Sequence, residues 1–320
     1  MLAIIGLIFP FFALIGLGFG TGRIVKRPLE GLAWLNVFIV YLALPALFFQ
    51  LLSKTPVEQL ANPGFVGATT LATFVTFLAV FTAGYVKTRG DIPASTIQGL
   101  AGAYGNIGYM GPGLAILVLG DAAAVPVALI VCFENAAHFV VAPAMMALAG
   151  GDRRPAGDVA IEVLRRVALH PFILSTAAGF AVAASGWQPP VAAMRLVDYL
   201  AQAAAPCALF AMGVTLALRP LKRVPVETGA IAAVKLLVLP AVVYVALRLV
   251  GGRDQTWVHA AVLLAALPTA TNVFVISQHY GAWQERASAT VLITTVLSIA
   301  TLPLVLYLIS AGFLPVEGMP

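Results

Sequence analysis

The sequence predicts an all-α polytopic membrane protein whose ten transmembrane helices form two inverted five-helix repeats. Three observations lead to this prediction: an apolar composition, ten long apolar runs, and short motifs that recur about 160 residues apart. The chain has 320 residues, of which 61% are hydrophobic and 10% are charged, and its mean hydropathy is +0.99. A soluble domain carries about 25% charged residues, so this composition excludes an ordinary water-exposed surface.

Ten apolar runs are long enough to cross a hydrocarbon core of about 30 Å, which requires roughly 20 residues of helix. They cover residues 2–20, 32–52, 65–86, 94–119, 122–149, 167–186, 194–218, 227–250, 257–280 and 286–311. The connections are short, and the longest is charged. The runs therefore predict a first repeat at 1–150, a cytoplasmic linker at 151–166 and a second repeat at 167–320.

The basic residues orient the predicted spans. Thirteen of the eighteen Lys and Arg residues lie in or beside connections that follow odd-numbered spans, and four lie in or beside the others. The positive-inside rule then makes the first group cytoplasmic and puts both termini on the outer side of the inner (cell) membrane. Because these charges lie at helix ends, the net charge of +5 indicates topology and does not favour nucleic-acid binding.

Three pairs of motifs relate the two halves of the chain. "ALPALFF" at 43–49 resembles "AAPCALF" at 204–210, "VVAPAMM" resembles "ATLPLVL", and "GNIGYMGPG" at 105–113 corresponds to "LPTATNVF" at 267–274. Each half has five spans, an odd number, so the second copy enters the membrane in the opposite sense. This inverted-repeat plan is typical of secondary transporters, whose binding sites lie at corresponding interrupted helices.

The fourth and ninth spans contain residues that interrupt a helix. Pro112 and Pro268 lack a backbone donor, and Gly111 can take dihedral angles that other residues avoid. We expect these three residues to be hinges of two crossing, broken helices. The N-terminal ends of half-helices carry partial positive charge and free N–H groups, which suit a carboxylate.

Polar residues lie deep within the predicted spans. They are Asn106, Glu134, Lys235 and Asn272. A charge at the bilayer centre costs at least about 2.5–3.5 kcal/mol on insertion scales and is a functional candidate by default. The candidate partners of Glu134 are Lys235, Asn135 and His138. Two roles stay open for Glu134: a structural pair with Lys235, or a role in substrate charge balance or ion coupling. Glu134 and His138 share a helix face at i, i+4, but no further ligand-type residues lie nearby in the sequence to complete a metal site.

Small and hydroxylated residues mark predicted helix contacts. Gly16 with Gly20, and Gly18 with Gly22, are small-xxx-small pairs that favour close helix packing. The Thr-rich faces of the third and tenth spans predict helix–helix hydrogen bonding. Their members are Thr69, Thr70, Thr73 and Thr76 in the third span, and Thr290, Thr294, Thr295 and Thr301 in the tenth.

Two segments carry a resemblance to a known family. "GNIGYMGPG" is similar to the Asn-x-x-x-Met-Gly-x-Pro region of the auxin efflux carrier family, and "AALPTATNVFVISQHYG" with the following span resembles its ninth and tenth helices. The resemblance covers essentially the whole chain, and the short central loop is similar to bacterial members. It implies a fold related to bile-acid and sodium–proton carriers, with a scaffold domain of spans 1, 2, 6 and 7 and a transport domain of spans 3–5 and 8–10.

The resemblance also implies roles for particular residues. Asn106 and Pro112 in span 4 and Pro268 and Asn272 in span 9 would be crossover residues, and a polar support site behind the crossing would include Glu134 and Asn135. From the residues around the two breaks we expect a substrate site built from Asn106, Gly108, Tyr109, Thr269, Thr271 and Asn272. From their depth in the predicted spans we expect a support or ion-coupling site of Glu134, Asn135, His138 and Lys235, with Lys235 a candidate counter-charge for the substrate.

The expected function is secondary active or facilitative transport of small organic carboxylates, malonate-, malate- or auxin-like, by an elevator-type mechanism. No cofactor or metal is expected, H+ and Na+ are both open as coupling ions, and the family suggests a homodimer through the scaffold domain. The first alternative is a cation–proton antiporter on the same scaffold, with Glu134 at its centre. A receptor or assembly subunit is a second alternative, and no nucleophile–base pair indicates an enzyme.

Overall fold

The computed structural model describes residues 2–54, 62–149, 168–218, 225–251 and 254–315, together with residues 157, 161, 164 and 165. Throughout these residues the regular structure is helical, and an isolated antiparallel bridge joins Gly105 and Thr269. The prediction of an all-helical membrane protein is confirmed at this level. Most of the linker predicted at 151–166 lies outside the described residues.

The helices follow one another along the chain. In order they are α1 (Leu2–Val25), α2 (Ala33–Phe38), α3 (Leu44–Ser53), α4 (Pro63–Lys87), α5 (Ile92–Ala103), α6 (Gly111–Leu119), α7 (Ala124–Leu148), α8 (Pro171–Ser185), α9 (Val191–Leu218), α10 (Val226–Ala233), α11 (Leu239–Val250), α12 (Gln255–Ala265), α13 (Thr271–His279) and α14 (Gln284–Ser310). Continuous π-helical turns join α2 to α3 and α10 to α11.

Seven helical segments of the described chain are long and apolar enough to cross a membrane, compared with the ten predicted. They are Gly6–Val25, Leu29–Ser53, Pro63–Lys87, Asp121–Leu148, Val191–Leu218, Val226–Val250 and Gln284–Ser310. The other three predicted spans correspond to shorter helices. The fourth consists of α5 and α6, the ninth consists of α12 and α13, and the sixth is α8, which has 15 residues.

The chain divides into two compact units, of which the first comprises Met1–Pro63, Gly108–Cys132 and Ala168–Pro220. Within it α1 packs closely on α9 because glycines leave room for backbone contact. A Cβ atom at Gly18 would collide with the Phe210 carbonyl oxygen, and one at Gly22 would lie 2.8 Å from Ala217 Cβ. By contrast, the described residues place nothing within 4 Å of that position at Gly16 or Gly20, so this pair makes no such packing contact within the described chain.

The second unit comprises Gly64–Ile107, Phe133–Val167 and Leu221–Pro320. In it α5 lies against α4, since a Cβ atom at Gly102 would come within 2.7 Å of Val80 Cγ2. The unit contains the ends of both interrupted helices that face each other, as described below. Whether this unit moves as a transport domain stays a prediction.

The π-helical turn Val234–Val238 has a local cause in the sequence. Pro240 cannot donate a hydrogen bond to the carbonyl four residues earlier, and in a regular α-helix its ring would collide with that carbonyl. A wider π-helical turn before the proline relieves this collision. The same relation holds for Ile39–Ala43, which precedes Pro45. Turns of this kind are frequent at functional sites, and this one carries Lys235.

Candidate functional site

Two helix interruptions face each other in the second unit. Helix α5 ends at Ala103 and α12 ends at Ala265, and non-helical backbone follows each of them. The Ala270 N–H donates to the Tyr104 carbonyl at 2.9 Å, and the Asn106 N–H donates to the Pro268 carbonyl at 2.8 Å. Non-helical backbone at membrane depth must be satisfied within the protein, and here each interruption provides partners for the other.

The carbonyl groups at the ends of α5 and α12 are bound by side chains. Lys235 Nζ donates to the Ala265 carbonyl at 2.6 Å, and Thr269 Oγ1 donates to the Ala101 carbonyl at 2.7 Å. The last four carbonyls of a helix lack intrahelical partners, and a cation near them also opposes the negative end of the helix dipole. Both side chains are 0% exposed, so these contacts are inside the unit.

Gly105 allows the backbone to approach the buried amine. A Cβ atom on this residue would lie 3.2 Å from Lys235 Nζ and 3.3 Å from the Leu264 carbonyl oxygen. Any larger residue would therefore press on the lysine and on the end of α12. The lysine predicted to be a counter-charge is thus held at the crossing of the two backbones.

The N-terminus of α13 is the positive end of a half-helix at the same place. Its N-cap, Ala270, makes no side-chain capping bond, and the first turn contains no acidic residue. Thr271 Oγ1 is buried and has no hydrogen-bond partner among the described residues. Uncapped N–H groups at a helix N-terminus are a ready site for an anion, and Asn272 adds an amide in that turn.

A polar cluster on α7 lies behind the crossing. Glu134 Oε1 accepts a hydrogen bond from Thr73 Oγ1 of α4 at 3.2 Å, and His138 Nδ1 donates to the Glu134 carbonyl at 2.6 Å. Glu134, Asn135 and His138 are 7%, 4% and 2% exposed. The described part of the chain shows no direct ion pair between Glu134 and Lys235, and each has its own hydrogen-bond partner.

Tyr104 links the cluster to α13, although the sequence patterns did not identify it. Its hydroxyl donates to Asn135 Oδ1 at 2.6 Å and accepts from Asn272 Nδ2 at 3.0 Å. Its ring stacks on His138, with 4.1 Å between centroids and 10° between planes. A tyrosine directly before a Gly-Asn pair at a helix interruption is the signal that could have pointed to it.

Four predicted site residues belong to the first unit. Gly108 and Tyr109 precede α6, and Gly111 and Pro112 are its first two residues. Gly111 is not among the glycines with positive φ, so the unusual dihedral angles expected there are not found. Proline is favoured in the first turn of a helix, where its missing N–H has no partner to lose, and Pro112 therefore fits the second position of α6.

The Thr-rich faces contribute two hydrogen bonds to the site. Thr73 binds Glu134, and Thr294 Oγ1 accepts from the Thr269 N–H at 3.2 Å. Thr69, Thr76, Thr290 and Thr295 donate to carbonyls of their own helices. The hydroxyls of Thr70 and Thr301 are buried without a hydrogen-bond partner among the described residues, so the predicted helix–helix bonding is not found there. The described residues contain no group of three His, Cys, Asp or Glu residues that could hold a metal ion.

Apolar helices of membrane-crossing length and two interrupted helices that meet at a polar centre define a membrane transporter. The chain matches the family described as "Membrane transport protein" over residues 3–306. The protein therefore belongs to this membrane transport family, the auxin efflux carrier family. It is also similar to a protein of Rhizobium meliloti (strain 1021) named "Putative malonate transporter", with 61% identity over 320 residues and 100% of both chains covered.

Proposed function

We propose that this membrane transporter carries a small organic carboxylate, with malonate- and malate-like dicarboxylates favoured over auxin-like anions. The observation that carries the proposal is the uncapped N-terminus of α13 beside the crossing, with Thr271 and Asn272 in its first turn. Such a terminus attracts negative charge. The name of the Rhizobium meliloti relative supports a dicarboxylate.

In this proposal the substrate carboxylate binds the N–H groups of α13 and the amides of Asn272 and Asn106. Lys235 acts mainly on the protein, because its amine is committed to the Ala265 carbonyl. Its positive charge still lies near the crossing and favours an anion there.

The proposed mechanism is alternating access by an elevator movement in the inner membrane. Ten spans in two inverted repeats would form a scaffold domain of spans 1, 2, 6 and 7 and a transport domain of spans 3–5 and 8–10, with both termini outside and a homodimer through the scaffold. The motifs repeated at an offset near 160 residues support this plan. The interruptions in both corresponding spans, the fourth and the ninth, support it too.

A second candidate function is cation–proton antiport, which the environment of Glu134 favours. Its carboxylate is 7% exposed, and Thr73 is its hydrogen-bond donor. A buried carboxylate near the bilayer centre is a recurrent proton carrier in transporters. In the carboxylate-carrier proposal the same residue would couple H+ or Na+ to the substrate.

The decisive experiment is counterflow in proteoliposomes. Vesicles loaded with unlabelled malonate are diluted into buffer that contains labelled malonate. Labelled malonate then exchanges for unlabelled malonate, whichever ion is coupled to transport. We expect saturable uptake, inhibited by malate more than by indole-3-acetate. A sodium or pH gradient applied afterwards identifies the coupling ion.

Two asparagine variants make the test specific. Asn272→Ala should raise the concentration for half-maximal uptake about 10- to 100-fold, because a hydrogen bond to a charged group contributes about 1.5–3 kcal/mol. Asn36→Ala, an exposed asparagine of the first unit, should leave uptake unchanged. No exchange of any acid, together with proton release on adding sodium or potassium, would support the antiporter instead.

A further inference from the structure

The Tyr104 hydroxyl lies between two amides and determines how one of them is oriented. A phenol has one hydrogen to donate. Because that hydrogen goes to Asn135 Oδ1, the same oxygen accepts from Asn272 Nδ2. The Asn272 amide is therefore held with its nitrogen toward Tyr104 and its carbonyl oxygen directed away from the hydroxyl.

Two contacts and its burial fix the tyrosine itself. Its ring stacks on His138, its carbonyl accepts from the Ala270 N–H, and the residue is 1% exposed. The hydroxyl thus has a defined position relative to the first turn of α13. It gains this position from α7 on one side and from the crossing backbone on the other.

Asn272 depends on this contact for its orientation. The bond to Tyr104 is the one hydrogen bond that the described residues give its side chain, which is half-buried. The terminal torsion of an asparagine is broad, so without Tyr104 the amide can turn. An amide that turns no longer offers an N–H group in a fixed direction, and its carbonyl oxygen would repel a carboxylate that lies beside it.

We propose that Tyr104 is a positioning residue for the transported anion, whose hydroxyl holds the Asn272 amide so that an N–H group serves the carboxylate. This inference rests on the proposed function and adds the residue that gives the α13 site its preference for an anion. It also explains why a tyrosine stands where a phenylalanine would pack equally well on His138.

The test is malonate binding and counterflow by Tyr104→Phe. This variant keeps the ring and removes only the hydroxyl. We expect the malonate Kd and the half-saturation concentration to rise about 5- to 30-fold, the range for loss of one buried hydrogen bond, while the maximal rate stays within about twofold. Tyr85→Phe, an exposed tyrosine of the same unit, should bind as the wild type does.

A double-variant cycle separates positioning from packing. If Tyr104 acts through Asn272, Tyr104→Phe should add less than about twofold in an Asn272→Ala background. Full additivity of the two effects would overturn the inference. So would wild-type affinity in a folded Tyr104→Phe protein.

Asn135→Ala provides an independent variant if Tyr104→Phe does not fold. It removes the acceptor that sets the direction of the hydroxyl, leaves the ring untouched, and should weaken malonate binding in the same sense. Unchanged binding by this variant would refute the positioning role. Failure of the wild type to bind any carboxylate would overturn the proposed function and the inference together, whereas normal wild-type binding with no effect of either variant overturns the inference alone.

Discussion

Thr269 provides a direct test of how the crossing is held together. The sequence patterns suggested that it binds substrate, whereas in the structure its hydroxyl donates to the Ala101 carbonyl at 2.7 Å. Thr269→Val removes the hydroxyl and keeps the branched shape. We therefore expect the variant to lower thermal stability first, with a smaller effect on substrate affinity.

The magnitude follows from what the change leaves unpaired. Ala101 is the third-last residue of α5, in the last turn, where helix carbonyls lack intrahelical partners. Interhelical hydrogen bonds in membrane proteins average about 0.6 kcal/mol, whereas a buried orphaned acceptor costs about 1–3 kcal/mol. Because Thr269 is 0% exposed and water cannot replace it, we expect about 1–2 kcal/mol. That is a fall of about 2–6 °C in melting temperature.

The assay is thermal unfolding of the purified protein in detergent. The fraction that stays folded after heating is measured by size-exclusion chromatography. Thr82→Val is the matched control, since Thr82 lies on an exposed position of α4, and its melting temperature should stay within about 1 °C of the wild type. Equal melting of Thr269→Val and the wild type would refute the reasoning that the two interruptions depend on this hydroxyl.

Three further predictions concern other parts of the molecule. Gly213→Ala should destabilise by about 1–3 kcal/mol, because its Cβ would overlap the Ile15 carbonyl oxygen of α1, whereas Gly20→Ala should not lower the melting temperature. Lys235→Met should leave the Ala265 carbonyl without its donor and reduce both melting temperature and malonate uptake, and wild-type behaviour would show that the amine is dispensable. Glu134→Gln retains an acceptor for Thr73 and should abolish the pH dependence of uptake if Glu134 carries the coupling proton; an unchanged pH profile would assign coupling elsewhere.

The membrane class and the positions of the interruptions followed from the sequence. Apolar runs and proline are local signals, because hydrocarbon thickness sets helix length and a proline removes one helix hydrogen bond. Proline alone does not end a helix, since Pro10, Pro143, Pro206 and Pro303 lie inside helices of this protein. The same local reasoning failed for Gly111. A proline also starts helices well, and the glycine before Pro112 became the first residue of α6 without a positive φ.

The partners of the polar residues required the tertiary structure. The sequence showed Lys235 and Glu134 at similar depth and left a pair between them open, but the amine binds the end of α12 and the carboxylate binds Thr73. Tyr104 did not stand out among apolar neighbours. Its importance comes from Asn135 and from Asn272, which is 168 residues away in the chain.

The sequence by itself thus determined that this chain is a helical membrane protein with two helix interruptions, because composition and helix breaking depend on neighbouring residues. Only the tertiary structure decided which interrupted backbone satisfies which carbonyl, and which amide binds the Tyr104 hydroxyl. Hydrogen bonds are short and directional, so they depend on the arrangement of distant segments, and no local pattern in the chain specifies them.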